Sequence, residues 1–153
     1  MRERKFAEEV GVFLSQMGMP PAFGRLLGWL LICDPPSQTS AQLSEALGLS
    51  KGSVSTGMRM LERSGLVRRV PMPGGHGRGH AYEMAPDAFV KVTDPGGRFL
   101  MMRDLMDKGL AVLDDPDSSR ARRLRITRDF YAFFAMRSPE LMEEFKNTYL
   151  RED

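Results

Sequence analysis

Apolar residues recur every three or four positions in the first part of the chain, which is the spacing of amphipathic helices. One apolar stripe runs from about Glu3 to Met17 and consists of Phe6, Val10, Phe13, Leu14 and Met17. The mostly apolar stretch from Pro21 to Ile32 predicts a second, largely buried helix, which the sequence Asp34-Pro35-Pro36 ends.

Two shorter helices are predicted next, joined by a three-residue turn. Thr39 and Gln42 form a capping-box pattern, so a helix begins there and continues to about Leu47. The turn is Gly48-Leu49-Ser50, and Ser50 is a good N-cap for a helix that ends at Ser64-Gly65. The pattern therefore predicts a helix-turn-helix.

The helix from about 50 to 64 is unusual because it is rich in weak helix formers. Its buried side is indicated by an apolar stripe of Val54, Met58 and Leu61. The weak formers lie around that stripe and are Gly52, Ser53, Ser55, Thr56 and Gly57. Stability by itself does not favour this composition, so the outer face calls for another explanation.

The side opposite the stripe is small, polar and basic. At 100° per residue it is centred on Gly52, Thr56, Arg59 and Arg63, flanked by Ser53 and Ser55. Small residues let another molecule approach the backbone, hydroxyls can bind phosphates or bases, and Arg59 can bind guanine through two hydrogen bonds. The face therefore suits a DNA major groove. The alternative is a core helix whose outer face is small and polar for no functional reason.

Beyond Gly65 the pattern predicts a β-hairpin. Its strands are Leu66 to Val70 and His80 to Met84, and the glycine-rich tip runs from Pro71 to Gly79. Six basic residues lie between Ser50 and His80 against one acid, Glu62, a balance of +5 within a chain whose net charge is +2. This clustering favours an anionic partner, although a solvated charged face would show the same charges.

Helices return after Pro86. Asp94-Pro95 predicts the start of a helix that ends near Leu113, and a second helix is predicted from about Ser118 to Met136. Ser138-Pro139 predicts a break and a short last helix that ends near Leu150. A candidate dimer surface, partly intrachain core, consists of Leu105, Leu113, Leu124, Phe130, Phe133, Phe134, Leu141 and Phe145. The arginines from 120 to 125 favour a solvated, ion-paired face.

Composition sets further bounds. A chain of 153 residues is most simply one domain, with parts at about 1–36, 37–86 and 87–153. No run of apolar residues is long enough to cross a bilayer, and the N-terminus lacks a signal-type apolar segment, so a cytoplasmic protein without membrane contact is expected. The lone Cys33 excludes an internal disulfide and is expected to be an inert buried thiol, the alternative being a redox switch.

No motif of a catalytic, metal or cofactor site is recognisable. The sequence lacks a nucleophile elbow, a P-loop and a His-Glu-x-x-His motif. His76 and His80 lie on or beside the glycine-rich tip, and two histidines do not make a structural zinc site, which needs four ligands. We therefore expect neither an enzyme nor a bound cofactor or metal.

The segment LSEALGLSKGSVSTGMRMLERSGLVRRV resembles the winged helix-turn-helix of MarR-type transcriptional regulators. The segment FAEEVGVFLSQMGMPPAFGRLLGWLLICDPP resembles the start of the GbsR-like subgroup. The resemblance implies a mainly α-helical fold with a small β-hairpin wing, a winged helix-turn-helix with N- and C-terminal dimerisation helices. It also implies a homodimer with one winged domain of each subunit on double-stranded DNA. We expect a repressor that binds a pseudo-palindromic operator, with the helix at about 50–64 in the major groove and the wing at 71–80 on the flanking backbone or minor groove.

Residue by residue, the resemblance implies base-reading roles for Ser53, Ser55, Thr56 and Arg59 and backbone contacts for Ser50 and Lys51. The DNA-binding residues of the wing would be Arg68, Arg69, His76, Arg78 and His80. The wing tip departs from the family's denser basic cluster, and the interruption at 94–97 departs from its long continuous helix.

Many relatives of this type respond to a small-molecule effector, and the resemblance implies one here. Candidate pocket residues are Phe13, Met17 and Trp29, since aromatic and methionine side chains suit an apolar or quaternary-ammonium ligand. Helix-spaced aromatics are also ordinary core residues. The alternative to DNA recognition is a winged-helix module that binds other proteins and lacks a sequence preference for DNA.

Overall fold

Residues 1–72, 79–93 and 97–150 are described in the computed structural model of the chain. The elements in these ranges are α1 (Arg2–Gln16), α2 (Pro21–Ile32), α3 (Ser40–Leu47), α4 (Lys51–Ser64), β1 (Val67–Pro71), β2 (His80–Met84), α5 (Ala88–Thr93), α6 (Arg98–Ala111) and α7 (Ser119–Tyr149). None of the described helices combines the length and apolar character needed to cross a membrane.

The chain divides into two compact units, Met1–Phe89 and Val90–Asp153. They are called the N-terminal and C-terminal units below. The division falls close to the expected junction between residues 86 and 87. That the whole chain forms one domain stays a prediction.

Local signals fixed the ends of the helix-turn-helix. The capping box of α3 is present, with Gln42 N–H donating to Thr39 Oγ1 at 3.2 Å and Thr39 N–H donating to Gln42 Oε1 at 2.8 Å. Ser50 Oγ accepts from Ser53 N–H at 3.1 Å and caps α4. Gly48 ends α3 at φ +62°, a left-handed conformation that glycine adopts without a steric penalty. The predicted turn is confirmed.

Helices α1 and α2 touch through their backbones. An added Cβ on Gly24 would lie 2.7 Å from Gly11 Cα and 3.0 Å from the Val10 carbonyl oxygen, and one on Gly28 would lie 2.9 Å from Ala7 Cα. Real side-chain atoms do not approach backbone atoms so closely. The absence of side chains at 24 and 28 is therefore what sets the separation of the two helices.

The apolar stripe of α1 is only partly buried. Ala7 and Gly11 are the buried residues of the helix, and the stripe members Val10 and Leu14 are half-buried, with Leu14 packed against the core. Phe6, Phe13 and Met17 are exposed, because the contact with α2 needs small residues and the largest side chains of the stripe lie away from it.

The core of the N-terminal unit lies between α2, α3, α4 and the hairpin. Its fully buried members of largest volume are Leu26, Leu43, Leu47, Val54, Met58 and Leu61. The stripe predicted for α4 is thus its buried side. Burial of such side chains stabilises a fold by about 1.5–3 kcal/mol each, so this core fixes α4 against the body of the unit.

The two strands pair antiparallel, with Val67 opposite Met84 and Pro71 opposite His80. Gln38 adds a short third segment by exchanging two backbone hydrogen bonds of 2.8 Å with Tyr82. The Gln38 side chain accepts from Trp29 Nε1 at 3.4 Å. The base of the hairpin is therefore fastened to α2. Residues 73–78 of the predicted tip lie outside the described residues.

The C-terminal unit consists of α6 packed on α7. The predicted first helix, Pro95 to Leu113, corresponds to α6, and Asp94-Pro95 lies outside the described residues. The predicted break at Ser138-Pro139 is wrong, because both residues lie inside α7, a single helix of 31 residues. Ser138 is buried and its hydroxyl donates to the Phe134 carbonyl oxygen at 2.6 Å. Helix-favouring residues follow the proline, so one missing N–H does not end the helix.

Candidate nucleic-acid interface

The position of α4 is set by its buried apolar side chains and by its close approach to α2 at Gly57. Val54, Met58 and Leu61 are at most 1% exposed. An added Cβ on Gly57 would lie 2.5 Å from Leu26 Cδ1 on α2. Gly57 therefore serves the contact between α4 and α2, and only the remaining weak helix formers require an explanation on the outer face.

The outer face of α4 is exposed, as predicted. Lys51, Gly52, Ser55, Thr56 and Arg59 are all exposed in the described structure. These residues are small, polar or basic, and apolar Met60 is half-buried at the edge of the face, so a groove of DNA could approach the helix backbone. The weak helix formers of α4 thus lie mainly on its exposed side, and the large apolar residues lie on its buried side.

Two hydroxyl contacts hold polar groups of α4 in place. Arg59 Nη2 donates to Ser55 Oγ at 3.3 Å, one helical turn earlier. Ser50 Oγ, besides capping the helix, donates to Ser53 Oγ at 3.0 Å. Ser53 is half-buried, so it is less accessible than the exposed Ser55. The Arg59 guanidinium therefore lies beside Ser55 on the exposed face of the helix.

The two arginines of β1 are engaged within the chain. Arg68 donates to Glu83 Oε1 from Nε at 2.8 Å and from Nη2 at 2.5 Å. Arg69 Nε donates to Glu62 Oε2 at 3.0 Å, and its guanidinium carbon lies 6.0 Å from the centre of the Tyr82 ring. The expected balance of +5 left out Glu83, which lies just beyond the segment counted. With Glu83 counted, the balance is +4, and each arginine of β1 has an acidic partner.

Hydrogen bonds lower the pKa of the Glu83 carboxyl group. The main cause is the pair of bonds from Arg68, and the second is the Ser37 hydroxyl, which donates to Oε2 at 2.9 Å. Glu83 thus remains ionised and joins three segments of the winged region. This carboxylate was not singled out from the sequence, although the strand register places it directly opposite Arg68.

Of the two histidines predicted for the wing, the structure describes His80. His80 lies at the base of the hairpin, where its Nε2 is 2.9 Å from the Tyr82 hydroxyl and its ring packs edge-on against Tyr82. His76 and Arg78 lie outside the described residues. Among the described residues no group of three or more histidine, cysteine or acidic side chains could hold a metal ion.

Sequence reasoning did not identify a cleft between α4 and the start of α2. It has a volume of about 440 Å³ and is lined by Pro20, Ala22 and Phe23 on one side. Ser50, Gly52, Ser53 and Thr56 of the α4 region line the other side. A Pro20-Pro21 pair at a helix start could have drawn attention to this end.

The three residues proposed for an effector pocket have different environments. Phe13 and Met17 are exposed on α1, whereas Trp29 is half-buried and donates its indole N–H to Gln38. A depression of about 450 Å³ on α1 is lined by Phe13 but by neither of the others. The contact that Trp29 makes with Gln38 gives it a role in the fold. An effector pocket formed by these residues stays a prediction.

Cys33 is half-buried at the end of α2. Burial raises the pKa of its thiol, with Asp34 acting in the same direction. The thiolate, which is the reactive form, is disfavoured in such an environment. This favours the inert thiol over the redox switch.

A helix-turn-helix followed by a two-stranded wing defines the winged-helix class of DNA-binding folds. The comparisons with known proteins agree. Residues 17–79 match the model of the MarR family, and residues 88–148 match that of MmpR5-like MarR family transcriptional regulators. The chain belongs to the MarR family of transcriptional regulators.

Two known proteins are similar to this chain over most of its length. The chain is 38% identical over 130 residues to the HTH-type transcriptional regulator MmpR5 of Mycobacterium tuberculosis (strain ATCC 25618 / H37Rv), a match that covers 84% of this chain and 78% of that protein. A solved structure described as the crystal structure of a transcriptional regulator is similar with a TM-score of 0.84 and 32% identity, covering 96% of this chain and 99% of the other.

Proposed function

We propose that this regulator is a dimeric repressor that binds a pseudo-palindromic operator with α4 in the major groove. Ser55, Thr56 and Arg59 contact base edges, assisted by Ser53, while Ser50 and Lys51 contact the phosphate backbone. The observation that carries this proposal is the division of α4 into a fully buried apolar side and an exposed, small, polar side on which Arg59 is held by Ser55.

The wing has a secondary part in this proposal. Arg68 and Arg69 are already paired with Glu83 and Glu62, so each would have to exchange a carboxylate for a phosphate in order to bind DNA. Such an exchange gains little free energy, because the lost ion pair offsets the new one. We therefore assign the wing's DNA contact to His76 and Arg78 near the tip, with His80 at its base.

Dimer formation is supported by the C-terminal unit. Many of its large apolar side chains are exposed, among them Leu105, Phe130, Phe133, Phe134, Leu141 and Phe145. Phe134 packs against both Phe130 and Phe133, so these exposed rings form one cluster, and exposed apolar clusters mark interaction surfaces. A two-fold dimer would bring two α4 helices to half-sites about one turn of DNA apart, roughly 34–36 Å. We propose that these side chains form the dimer interface.

Two further assignments belong to the proposal. The first is relief of repression by a small molecule near Phe13, Met17 and Trp29, which must bind one arrangement of the two α4 helices better than another. The second is membership of the GbsR-like subgroup, suggested by the N-terminal segment.

The test is DNA binding by the full chain, measured by fluorescence anisotropy over a series of salt concentrations. Duplexes enriched by the protein from a random pool are compared with scrambled duplexes of equal length. We expect specific binding to be about 10³-fold tighter or more at physiological salt. Equal, steeply salt-dependent binding to both duplexes would contradict sequence readout, and absence of binding to either would favour the module that binds other proteins.

A further inference from the structure

A set of charged side chains connects α1 and α2 with the turn that precedes α4. The Glu8 carboxylate on α1 lies 3.4 Å from Arg4 Nε and 3.7 Å from Arg25 Nη2. The same Nη2 donates a hydrogen bond of 2.5 Å to the carbonyl oxygen of Leu47, the last residue of α3. We call Arg4, Glu8 and Arg25 the turn-contacting network.

Arg25 binds a backbone carbonyl group at the C-terminal end of α3, where carbonyl groups lack a donor within the helix. The last carbonyl groups of a helix lack intrahelical donors and carry partial negative charge, so a guanidinium suits this position. The Arg25 side chain is only 23% exposed, and its Nε is buried without a hydrogen-bond partner among the described residues. An unbonded buried donor is destabilising. Stability alone therefore does not account for an arginine here, whereas a contact that fixes the turn does.

Two glycines give the network access to the turn. An added Cβ on Gly11 would lie 2.5 Å from Arg25 Cγ, so the arginine side chain crosses α1 where that helix has no side chain. An added Cβ on Gly48 would lie 3.3 Å from Arg4 Nη2. Arg4 therefore lies against the turn residue that follows the carbonyl bound by Arg25.

We propose that Arg25, supported by Glu8 and Arg4, is a positioning residue for DNA recognition, which fixes the turn and hence the start of α4. Leu47 is separated from the capping residue Ser50 by only two residues, so a shift of the turn moves the first turn of α4. That turn carries Lys51 and Ser53, which the proposed function places at the DNA. The inference rests on that proposed function.

The experiment compares specific and non-specific DNA binding by the full chain and its variants. Arg25→Met keeps the length of the aliphatic stem but removes the charge and the bond to Leu47. Lys5→Met is the matched control, because it removes one positive charge from an exposed position of α1. Glu8→Gln and its control Glu9→Gln test the supporting carboxylate, since exposed Glu9 forms no ion pair within the described part of the chain.

Specific affinity for a wild-type-enriched duplex should fall about tenfold in Arg25→Met. Affinity for a scrambled duplex should match that of Lys5→Met. Glu8→Gln should show a smaller loss of the same kind. Arg25→Lys, which keeps a charged donor group, should retain part of the affinity lost in Arg25→Met. Amide hydrogen exchange over residues 47–53 should accelerate in Arg25→Met and stay unchanged in Lys5→Met, a change that a lost phosphate contact would not produce.

The outcomes separate this inference from the proposed function. A wild-type protein that enriches no duplex would overturn the proposed function, and the positioning role with it. If the wild type is specific and Arg25→Met keeps the same ratio of specific to non-specific affinity, the positioning role is wrong. Equal losses on both duplexes, with unchanged exchange at 47–53, would also overturn it. Should Arg25→Met fail to fold, the ratio measured for Glu8→Gln against Glu9→Gln decides by the same criteria.

Discussion

Arg68 and Glu83 stand directly opposite each other on β1 and β2, and both donor atoms of the arginine that face the carboxylate bind a single oxygen. The other oxygen of Glu83 accepts from Ser37, which precedes α3. One carboxylate thus joins the two strands to the segment that enters the helix-turn-helix. Arg68 is thereby held within the protein rather than offered to DNA.

Glu83→Gln should lower the free energy of unfolding at neutral pH by about 1 kcal/mol or less, since the pair lies near the surface and is screened by water. The folded-state pKa of Glu83 is lowered, so its contribution is fully present above the unfolded-state pKa and is lost as the pH falls through the folded-state value. Urea unfolding of both proteins from neutral to acidic pH checks this. The difference should disappear in acid. Glu45→Gln, at an exposed position of α3, is the control for the loss of one carboxylate at neutral pH.

Gly57→Ala should destabilise the N-terminal unit by about 1–3 kcal/mol, because the new methyl group would collide with buried Leu26. Gly52→Ala is the matched control on the same helix. Its added Cβ would meet only Ser50 Oγ, at 3.9 Å, so it should stabilise the helix by about 0.5–1 kcal/mol. Chemical unfolding of both variants measures the contrast. Equal effects would show that α4 does not depend on close approach to α2.

Arg59→Ala should cost about 1–3 kcal/mol of operator binding and relax the preference at one base pair in each half-site. The reason is the orientation of Arg59 on the exposed face, where its fork can bind one guanine. Anisotropy with duplexes substituted at single positions measures it. Arg59→Lys, which keeps the charge but not the fork, should lose selectivity more than affinity. An unchanged base preference in Arg59→Ala would contradict the assignment of α4 as the recognition helix.

Phe130→Ser should weaken self-association, because a side chain that is 56% exposed on α7 is assigned to the dimer interface. Truncating a large apolar residue in an interface commonly costs more than about 2 kcal/mol where it is central. Sedimentation velocity over a range of concentrations checks this. Ala41→Ser, on an exposed position of α3 outside the expected dimerisation helices, should leave the sedimentation coefficient unchanged. A wild-type chain that sediments as a monomer throughout would contradict the dimer itself.

The sequence predicted those features that depend on residues close together in the chain. The capping box of Thr39 and Gln42 and the cap at Ser50 act over three residues, so α3 and α4 begin where they were expected to begin. The buried side of α4 followed from its spacing. The winged-helix fold and membership of the MarR family are likewise confirmed.

Features that depend on a distant partner were not predictable in the same way. Whether an apolar stripe on α1 is buried depends on what packs against it, and the need for backbone contact at Gly24 and Gly28 reserves that side for small residues. The ion pair of Arg68 with Glu83 requires the strand register. At Pro139 a local rule for ending helices was outweighed by the residues around it.

The glycines between α1 and α2 have a mechanical consequence. Where backbones touch directly, no rotamers are available to absorb a displacement of one helix relative to the other. A displacement of α1 is therefore passed to α2 as a movement of the whole helix. The two helices behave as one rigid body, so a molecule that binds to one of them and displaces it also displaces the other.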